Sequence, residues 1–435
     1  AESSTEIGSI GTVEGSGEAT GIGDLGGTGR GGGGEAFGRV RGLGKAKGGG
    51  KGAGLGSKGV GSRGAARSRG SASRSAGRSG AKSAKNRNLQ QAGKLTAAQW
   101  SDIEHWDFWR ALFEDEQGEP SDWTKHEKEW GIFTRRRVPV RVEAAGEPVA
   151  DVPVRLRGGS GKILWRARTD NRGRAELFPS AFSGQSAREG VDLIVGAGES
   201  EKVLEGVEPR ADRYEVDLPA ADPPKPSLDL MVTVDTTGSM GDELSYLAAE
   251  LGDVVTRVER RLDRDISLRT SANFYRDAGD AYVVRSNPFT TSVDRVVGQI
   301  AEQRAGGGGD FPEAVDRALA DSIDNHEWRQ RATARLMFLV MDAPPHGGED
   351  QLERVRRTIR RAAKRGIRVI PVVGSGIDKR TEFLMRFATI ATGGTYVFLT
   401  DDSGIGGDHL EPTIGPHNVE KLNDLLVEVI VSYVE

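Results

Sequence analysis

The chain has 435 residues, a net charge of −4 and no cysteine, which excludes a disulfide framework, a thiol nucleophile, a cysteine zinc site and an iron–sulfur cluster. Only 36% of the residues are hydrophobic while 61 are glycine, a balance explained by one low-complexity segment beside ordered domains. No apolar run approaches the roughly 18 residues that a membrane-spanning helix needs. The length suggests two or three domains. The sequence opens at Ala1 instead of Met, and the expectation is a processed, exported chain.

Residues 1–93 are dominated by glycine, serine and alanine. With few large apolar side chains, the segment cannot offset its ordering entropy and is expected to be a disordered arm. Its charge changes sign along its length. Up to Glu35 the charges are mostly acidic; from Arg39 to Lys94 they are all basic, and no acid occurs between Glu35 and Asp102. Residues 39–94 are therefore a candidate polyanion or nucleic-acid contact, with a solvated tether as the other reading. Gly21-Ile-Gly-Asp-Leu-Gly26 matches GxGxxG formally, but neither a strand nor a helix surrounds it.

Residues 94–135 hold Trp100, Trp106, Trp109, Trp123 and Trp130, five of the seven tryptophans. So many aromatics imply burial against the next domain or a partner. Thr96 and Gln99 have capping-box spacing for a short helix, and Asp107 is a candidate cap for another at 108–113. Residues 136–220 alternate in short runs at 138–144, 152–157, 163–168, 174–178, 191–195, 202–204 and 213–218, separated by turn residues, which predicts a small all-β sandwich. The pattern Gly146-Glu-Pro-Val, Val154-Arg-Leu and Thr169-Asp-Asn-Arg-Gly-Arg-Ala resembles the transthyretin-like, carboxypeptidase-regulatory-like repeat of bacterial surface proteins, and the resemblance implies a spacer. Asp222-Pro-Pro-Lys-Pro226 marks a stiff linker at 221–227.

From 228 to 435 strands and helices alternate. An apolar run at 228–234 predicts a buried strand, and Leu244, Leu247, Leu251, Val254, Val255 and Val258 recur with helical spacing just after it. Further strands are predicted at 266–275, 282–285, 335–341, 367–373 and 394–399. Helices are predicted at 293–304, 311–324, 351–365, 380–392 and 419–434. The fold class is α/β, with a mostly parallel central sheet flanked by helices.

Between the first strand and its helix lies Asp235-Thr-Thr-Gly-Ser239. The D-x-T-x-S spacing puts Asp235, Thr237 and Ser239 on one side of a tight loop, and their hard oxygens suit Mg²⁺, Mn²⁺ or Ca²⁺ over zinc or copper. Two later loops add Asp310, in Gly306-Gly-Gly-Gly-Asp-Phe-Pro-Glu313, and Asp342, in Asp342-Ala-Pro-Pro-His346. This set resembles the metal-ion-dependent adhesion site of a von Willebrand factor type A domain. It is similar to a branch that includes the domain attached to alpha-kinases. The resemblance implies a Rossmann-like sheet, a metal held by Asp235, Thr237, Ser239, Asp310 and Asp342, and capture of an Asp or Glu from a protein partner. Where the family has threonine this chain has Asp310, which reads either as a ligand or as the cap of a helix starting at Phe311.

Asp401, Asp402 and Asp408 are read as a solvated loop. Asp277 is left out of the site on the reading that its strand runs antiparallel. The six histidines form no HExxH pair, and no GxSxG occurs, so the expectation is a binding protein and not an enzyme. A structural assembly subunit is the other alternative.

Overall fold

The computed structural model describes residues 92–435 other than 116–117, 184–189, 242, 263–264 and 310. The arm expected at 1–93, with its polyanion reading, lies almost wholly outside the described residues, and so does Asp310. The described chain is a mixed α/β protein built on one eight-stranded sheet and two four-stranded sheets.

In chain order, β1 (Thr96–Trp100) is followed by α1 (Trp106–Ala111) and α2 (Asp122–Trp130). Next come β2 (Val138–Ala144), β3 (Glu147–Pro148), β4 (Pro153–Arg157), β5 (Ile163–Arg168) and β6 (Arg174–Leu177). Strands β7 (Val191–Val195), β8 (Lys202–Val207) and β9 (Tyr214–Leu218) complete the small sheets. The remainder runs β10 (Ser227–Asp235), α3 (Leu244–Arg261), β11 (Ser267–Tyr275), β12 (Val284–Arg285), α4 (Val293–Ala301) and α5 (Val315–Asp324). It ends with β13 (Ala334–Met341), α6 (Glu349–Arg365), β14 (Arg368–Val373), α7 (Lys379–Thr392), β15 (Tyr396–Leu399), β16 (Glu420–Lys421) and α8 (Leu422–Ser432).

The large sheet has the order β12-β11-β10-β13-β14-β15-β1-β16. Its five central strands are parallel, β12 pairs antiparallel on one edge, and β1 then β16 extend the other edge by antiparallel pairings. All nine residues of β10 are buried, as expected of a parallel strand covered on both faces. Leu228, Leu230, Val232 and Val234 face a core shared with α3, α4 and α8. Met231 faces the opposite core, shared with α5, α6 and α7. On that second face Thr233 and Ser322 hydroxyls meet at 2.8 Å, and buried Asp229 accepts from Arg269 at 2.6 and 2.9 Å and from Arg329.

The capping-box expectation at Thr96 and Gln99 is overturned. The segment is strand β1, paired from Ala97↔Leu399 to Trp100↔Tyr396. Pairing with the sheet edge outweighs a local capping signal that no following helix reinforces. Asp107 likewise lies inside α1, whose first residue is Trp106 and whose N-cap is His105. The tryptophans do pack within the chain. The Trp109 ring stacks at 5.9 Å on Phe383 of α7, and Trp130 Nε1 donates to the Arg380 carbonyl at 2.9 Å. The strands of 138–218 form two four-stranded sheets, β3-β2-β6 with β9 parallel to β2, and β5-β4-β7-β8. Trp165 and Phe178 meet edge-on at 5.3 Å between them. These sheets lie against the large sheet's helices: Arg335 on β13 donates to Asp151 at 2.9 and 3.2 Å, with both side chains buried.

One buried trio joins the tryptophan segment to α7. Arg386 is fully buried and donates to Asp102 at 2.9 and 2.5 Å, to Glu382 at 3.0 Å and to the Thr413 carbonyl at 2.7 Å. Its guanidinium also lies 4.9 and 4.8 Å from the Trp109 and Trp123 rings. Removing one partner of such a pair strands the other in a low dielectric, at a cost of about 3–5 kcal/mol. Asp102→Ala is therefore expected to lower the unfolding free energy of the whole cooperative transition, measured in urea, by that amount. A change below about 1 kcal/mol, the scale of an exposed ion pair, would show that the tryptophan segment unfolds independently.

Candidate metal centre

Strand order reverses between β10 and β13: the chain leaves β10 toward β11 on one side and leaves β13 toward β14 on the other. A crevice at the carboxyl ends of two such strands is where α/β sheets bind ligands. Asp235 closes β10, and Asp342 follows the last residue of β13. The parallel register, Leu228↔Ala334 to Val234↔Val340, brings both carboxylates to that edge.

The first loop is folded by its own side chains. Asp235 Oδ1 accepts from the Thr237 amide at 2.8 Å and from its hydroxyl at 2.6 Å, a local turn of the kind that Asp favours. Thr237 and Ser239 hydroxyls lie 3.1 Å apart. Ser239 also lies against Asp342, where its hydroxyl helps hold the carboxylate ionised. Thr236 serves the scaffold instead, bonding the Tyr275 carbonyl at 2.9 Å and the Tyr282 hydroxyl at 2.7 Å.

The second loop closes over the first. The Gly238 amide donates to the Gly307 carbonyl at 3.0 Å, and the Gly306 amide to the Thr236 carbonyl at 3.1 Å. A Cβ on Gly238 would come within 2.8 Å of that Gly307 oxygen, so only glycine lets the loops approach. Gly308, at φ +68°, is the other requirement: a Cβ there would sit 3.0 Å from Glu313 Oε1 and 3.5 Å from Thr237 Cβ. The Glu313 amide then donates to the Pro344 carbonyl at 2.9 Å, tying the second loop to the third.

Four of the five sequence candidates, Asp235, Thr237, Ser239 and Asp342, are thus assembled at one edge, and Asp310 lies outside the described residues. The helix expected from Phe311 begins instead at Val315, with Ala314 as its N-cap. Glu313 and Pro344 hold residues 311–314 in a loop, so Pro312 does not sit in a first helical turn.

Several carboxylates were not singled out from sequence. Glu313 and Glu243 are buried beside the loops. Asp277 and Asp280 stand on the same edge, because β11 runs parallel to β10 and aligns Tyr275 with Asp235, which overturns the antiparallel reading. The signal was present: a long helix between two strands is a crossover, and crossovers join parallel neighbours. Asp280 Oδ2 accepts from the Gly308 amide at 2.8 Å, and His346 Nε2 lies 2.7 Å from Asp277. Asp401, Asp402 and Asp408 are exposed, as expected of a solvated loop, and Asp401 accepts from His409 at 2.7 Å. The far ring nitrogen of His409 lies 3.4 Å from Glu243.

The electrostatics are those of crowded, dehydrated anions. Burial pushes Asp235 up to about 6, against the stabilising bonds from Thr237. Burial, and then the charge of Asp235, push Asp342 up to about 7. Burial, and then the charges of Asp235, Asp277, Asp280 and Asp342, push Glu313 up to about 8. Asp235 Oδ2, Asp342 Oδ1, Glu313 Oε2 and Glu243 Oε2 are buried without a hydrogen-bond partner among the described residues. Orphaned anionic oxygens beside two hydroxyls form a donor set that fits a hard divalent cation. Among the described residues no three His, Cys, Asp or Glu side chains are grouped closely enough to hold an ion by themselves. A cation here would depend on Thr237 and Ser239 as much as on the carboxylates.

No family model matches the chain. It is 28% identical over 191 residues to a putative ariadne-like RING finger protein of Acanthamoeba polyphaga mimivirus, covering 40% of this chain and 18% of that protein. It is 34% identical over 127 residues to alpha-protein kinase vwkA of Dictyostelium discoideum, covering 28% of this chain and 19% of the kinase. The chain therefore spans less than a fifth of each of these relatives.

Carboxyl groups raised in the folded state bind protons that the unfolded chain releases, so their stabilising effect is complete below the ordinary carboxyl range and is lost as pH rises through the folded values. In EDTA, raising the pH from about 4 to about 8 is expected to lower the thermal midpoint through this cluster. Mg²⁺ or Ca²⁺ should restore the midpoint most at the alkaline end and least below about pH 6, where protons compete for the same oxygens. A midpoint unaffected by the cations at every pH would exclude their binding here.

Proposed function

We propose that the chain is a divalent-cation-dependent protein-binding module of the von Willebrand factor type A kind, with a Rossmann-like sheet domain at 228–435. The observation that carries this reading is the convergence of Asp235, Thr237, Ser239 and Asp342 on the β10–β13 crevice, with buried carboxylate oxygens left unpartnered. The partial likeness to the Dictyostelium alpha-protein kinase supports it, since the loop motifs resemble those of the alpha-kinase-associated branch.

In this reading Asp235, Thr237, Ser239 and Asp342 hold Mg²⁺, Mn²⁺ or Ca²⁺, with Asp310 as the second loop's sequence candidate and Glu313 as its described carboxylate. When bound, the ion would offer a coordination position to an Asp or Glu of the partner. The protein's own part is to pre-orient hard oxygens: Asp235 fixes the Thr237 hydroxyl, Thr237 fixes Ser239, and the glycines of 306–309 let the second loop close. Binding fits the arrangement better than catalysis. His346 and His409, the histidines nearest the edge, are already engaged by Asp277, Asp401 and Glu243.

Mn²⁺ titration followed by electron paramagnetic resonance tests the ion, and immobilised peptides carrying Asp or Glu test the partner chemistry. Asp235→Ala is expected to weaken Mn²⁺ uptake by about 100-fold or more while leaving the far-ultraviolet circular dichroism unchanged. Peptide retention should need Mg²⁺ and vanish in EDTA. Equal retention in EDTA would refute the proposal.

A further inference from the structure

Helix α6 and the strand that follows it carry Arg354, Arg356, Arg357, Arg360, Arg361, Lys364, Arg365 and Arg368, and no acid occurs between Glu353 and Asp378. Most of these cations are accounted for inside the fold. Arg354 pairs with Asp316, Arg356 with Glu349 at 2.8 Å and Arg361 with Asp324 at 2.5 Å. Arg365 donates to the Ile323 carbonyl, and Arg368 to those of Thr392 and Arg168 at 2.6 and 2.9 Å.

Four of the helix's cations, Arg361 among them, face solvent together. Arg357, Arg360, Arg361 and Lys364 stand at helical positions i, i+3, i+4 and i+7, on one face of α6. Arg166 reaches the same place from β5, and the five line a cleft of about 220 Å³ with no acidic side chain in its wall. Arg360 is held by a 2.7 Å bond to the Leu164 carbonyl, which leaves its charge uncompensated. Among the described residues only Arg361 of the five has a carboxylate, so five positive charges face one negative.

Helix electrostatics account for part of this. Lys364 lies in the last turn, where the macrodipole favours cations. That effect fades within one turn and does not reach Arg357, and it says nothing of Arg166 on another element. Arg357 and Arg361 are like charges at i, i+4, as are Arg360 and Lys364, and each such pair costs the isolated helix a few tenths of a kcal/mol. A cleft that concentrates this repulsion is organised for a compensating anion.

From this geometry we propose that the β5–α6 cleft is a binding site for a ligand carrying two or more phosphate groups. The size of the cleft selects phosphate. Its volume holds about seven water equivalents at roughly 30 Å³ each. A compact ligand must therefore carry about four negative charges on few atoms. A phosphate group presents up to two charges and three oxygens to guanidinium forks, whereas an acidic peptide would have to crowd four side chains into the same space. The ligand is an oligophosphate, either free or on a lipid headgroup. Every residue of the site belongs to β5 or α6, and none to the basic segment 39–94.

The test is amine footprinting of Lys364 by mass spectrometry on the full-length chain, with tripolyphosphate as the probe. The expected result is that saturating tripolyphosphate slows modification of Lys364 by about five-fold or more, and that the effect fades from about 50 to about 200 mM salt. Inorganic sulfate at the same ionic strength should not protect. The double variant Arg166→Gln, Arg357→Gln should need about ten-fold more tripolyphosphate for half protection. The lysines of 39–94 report any contact of that segment separately in the same spectra. Vesicles containing a phosphoinositide then identify the source: protection of Lys364 by them points to a lipid headgroup, and protection by tripolyphosphate alone to a free oligophosphate. Equal modification with and without tripolyphosphate, equal protection by sulfate, or an unchanged double variant would each overturn the proposal.

Discussion

Carboxylates collected at one dehydrated sheet edge are the constraint to which the rest of this protein answers. Asp235, Asp342, Glu243 and Glu313 are each almost wholly buried, and each keeps an oxygen without a hydrogen-bond partner among the described residues. Burial disfavours the charge of Asp235, Asp342 and Glu313, and repulsion from neighbouring carboxylates adds to it at the last two. Such a cluster is tolerated only if the surrounding fold over-determines its geometry. The loops around it do so: Gly238 and Gly307 are in contact, Glu313 is bonded to Pro344, and Thr237 is folded back on Asp235. The glycine run at 306–309 is therefore a steric requirement of one loop lying on another.

Rigidity at that edge is supplied from the far side of the sheet. The face bearing α5, α6 and α7 is covered by the tryptophan segment and the two small sheets, whose apolar residues belong to one continuous core with it. The contacts are polar as well as apolar. Arg335 reaches Asp151, Arg368 reaches the Arg168 carbonyl, and Arg386 is enclosed by Asp102 and Glu382. Buried guanidinium pairs contribute little net stability but penalise alternative packings heavily. The β-rich segment thus acts on the sheet domain as a buttress, although its sequence resemblance implies a spacer.

Much of the fold was legible because parallel strands buried on both faces are nearly unbroken apolar runs. The strands at 228–234, 335–341 and 367–373 begin and end within a residue or so of their expected places. Errors fall where tertiary contacts decide. Thr96–Trp100 has the local spacing of a helix cap but is claimed by the edge of β15. Residues 311–314 read as the first turn of a helix, and Glu313's bond to the third loop holds them in a loop instead. The loop at Asp235, Thr237 and Ser239 was legible because its spacing is local, and Asp342 because it follows an apolar run that reads as a buried strand. Glu313, Asp277 and Asp280 were not, since their membership depends on which strands lie side by side and in which direction.

The distribution of charge explains how a chain with a net charge of only −4 can present two strongly charged surfaces. Helix α6 begins at Glu349, just beyond the acidic third loop, and runs back across the sheet. Arg357 and Lys364 therefore stand about 12 and 22 Å along the helix from its first residue, at 1.5 Å per residue. At physiological ionic strength the Debye length is about 8 Å, so exposed cations at that distance are largely screened from the carboxylate edge. The two regions cannot neutralise each other, and each must find its counter-charge locally. In the proposed readings a hard cation would answer the first, whose oxygens are buried and fixed, and a multiply charged anion the second, whose guanidinium groups are exposed on a single helical face. Helix α6 thus starts next to the loop that carries Asp342 and bears the exposed cations on its middle and last turns.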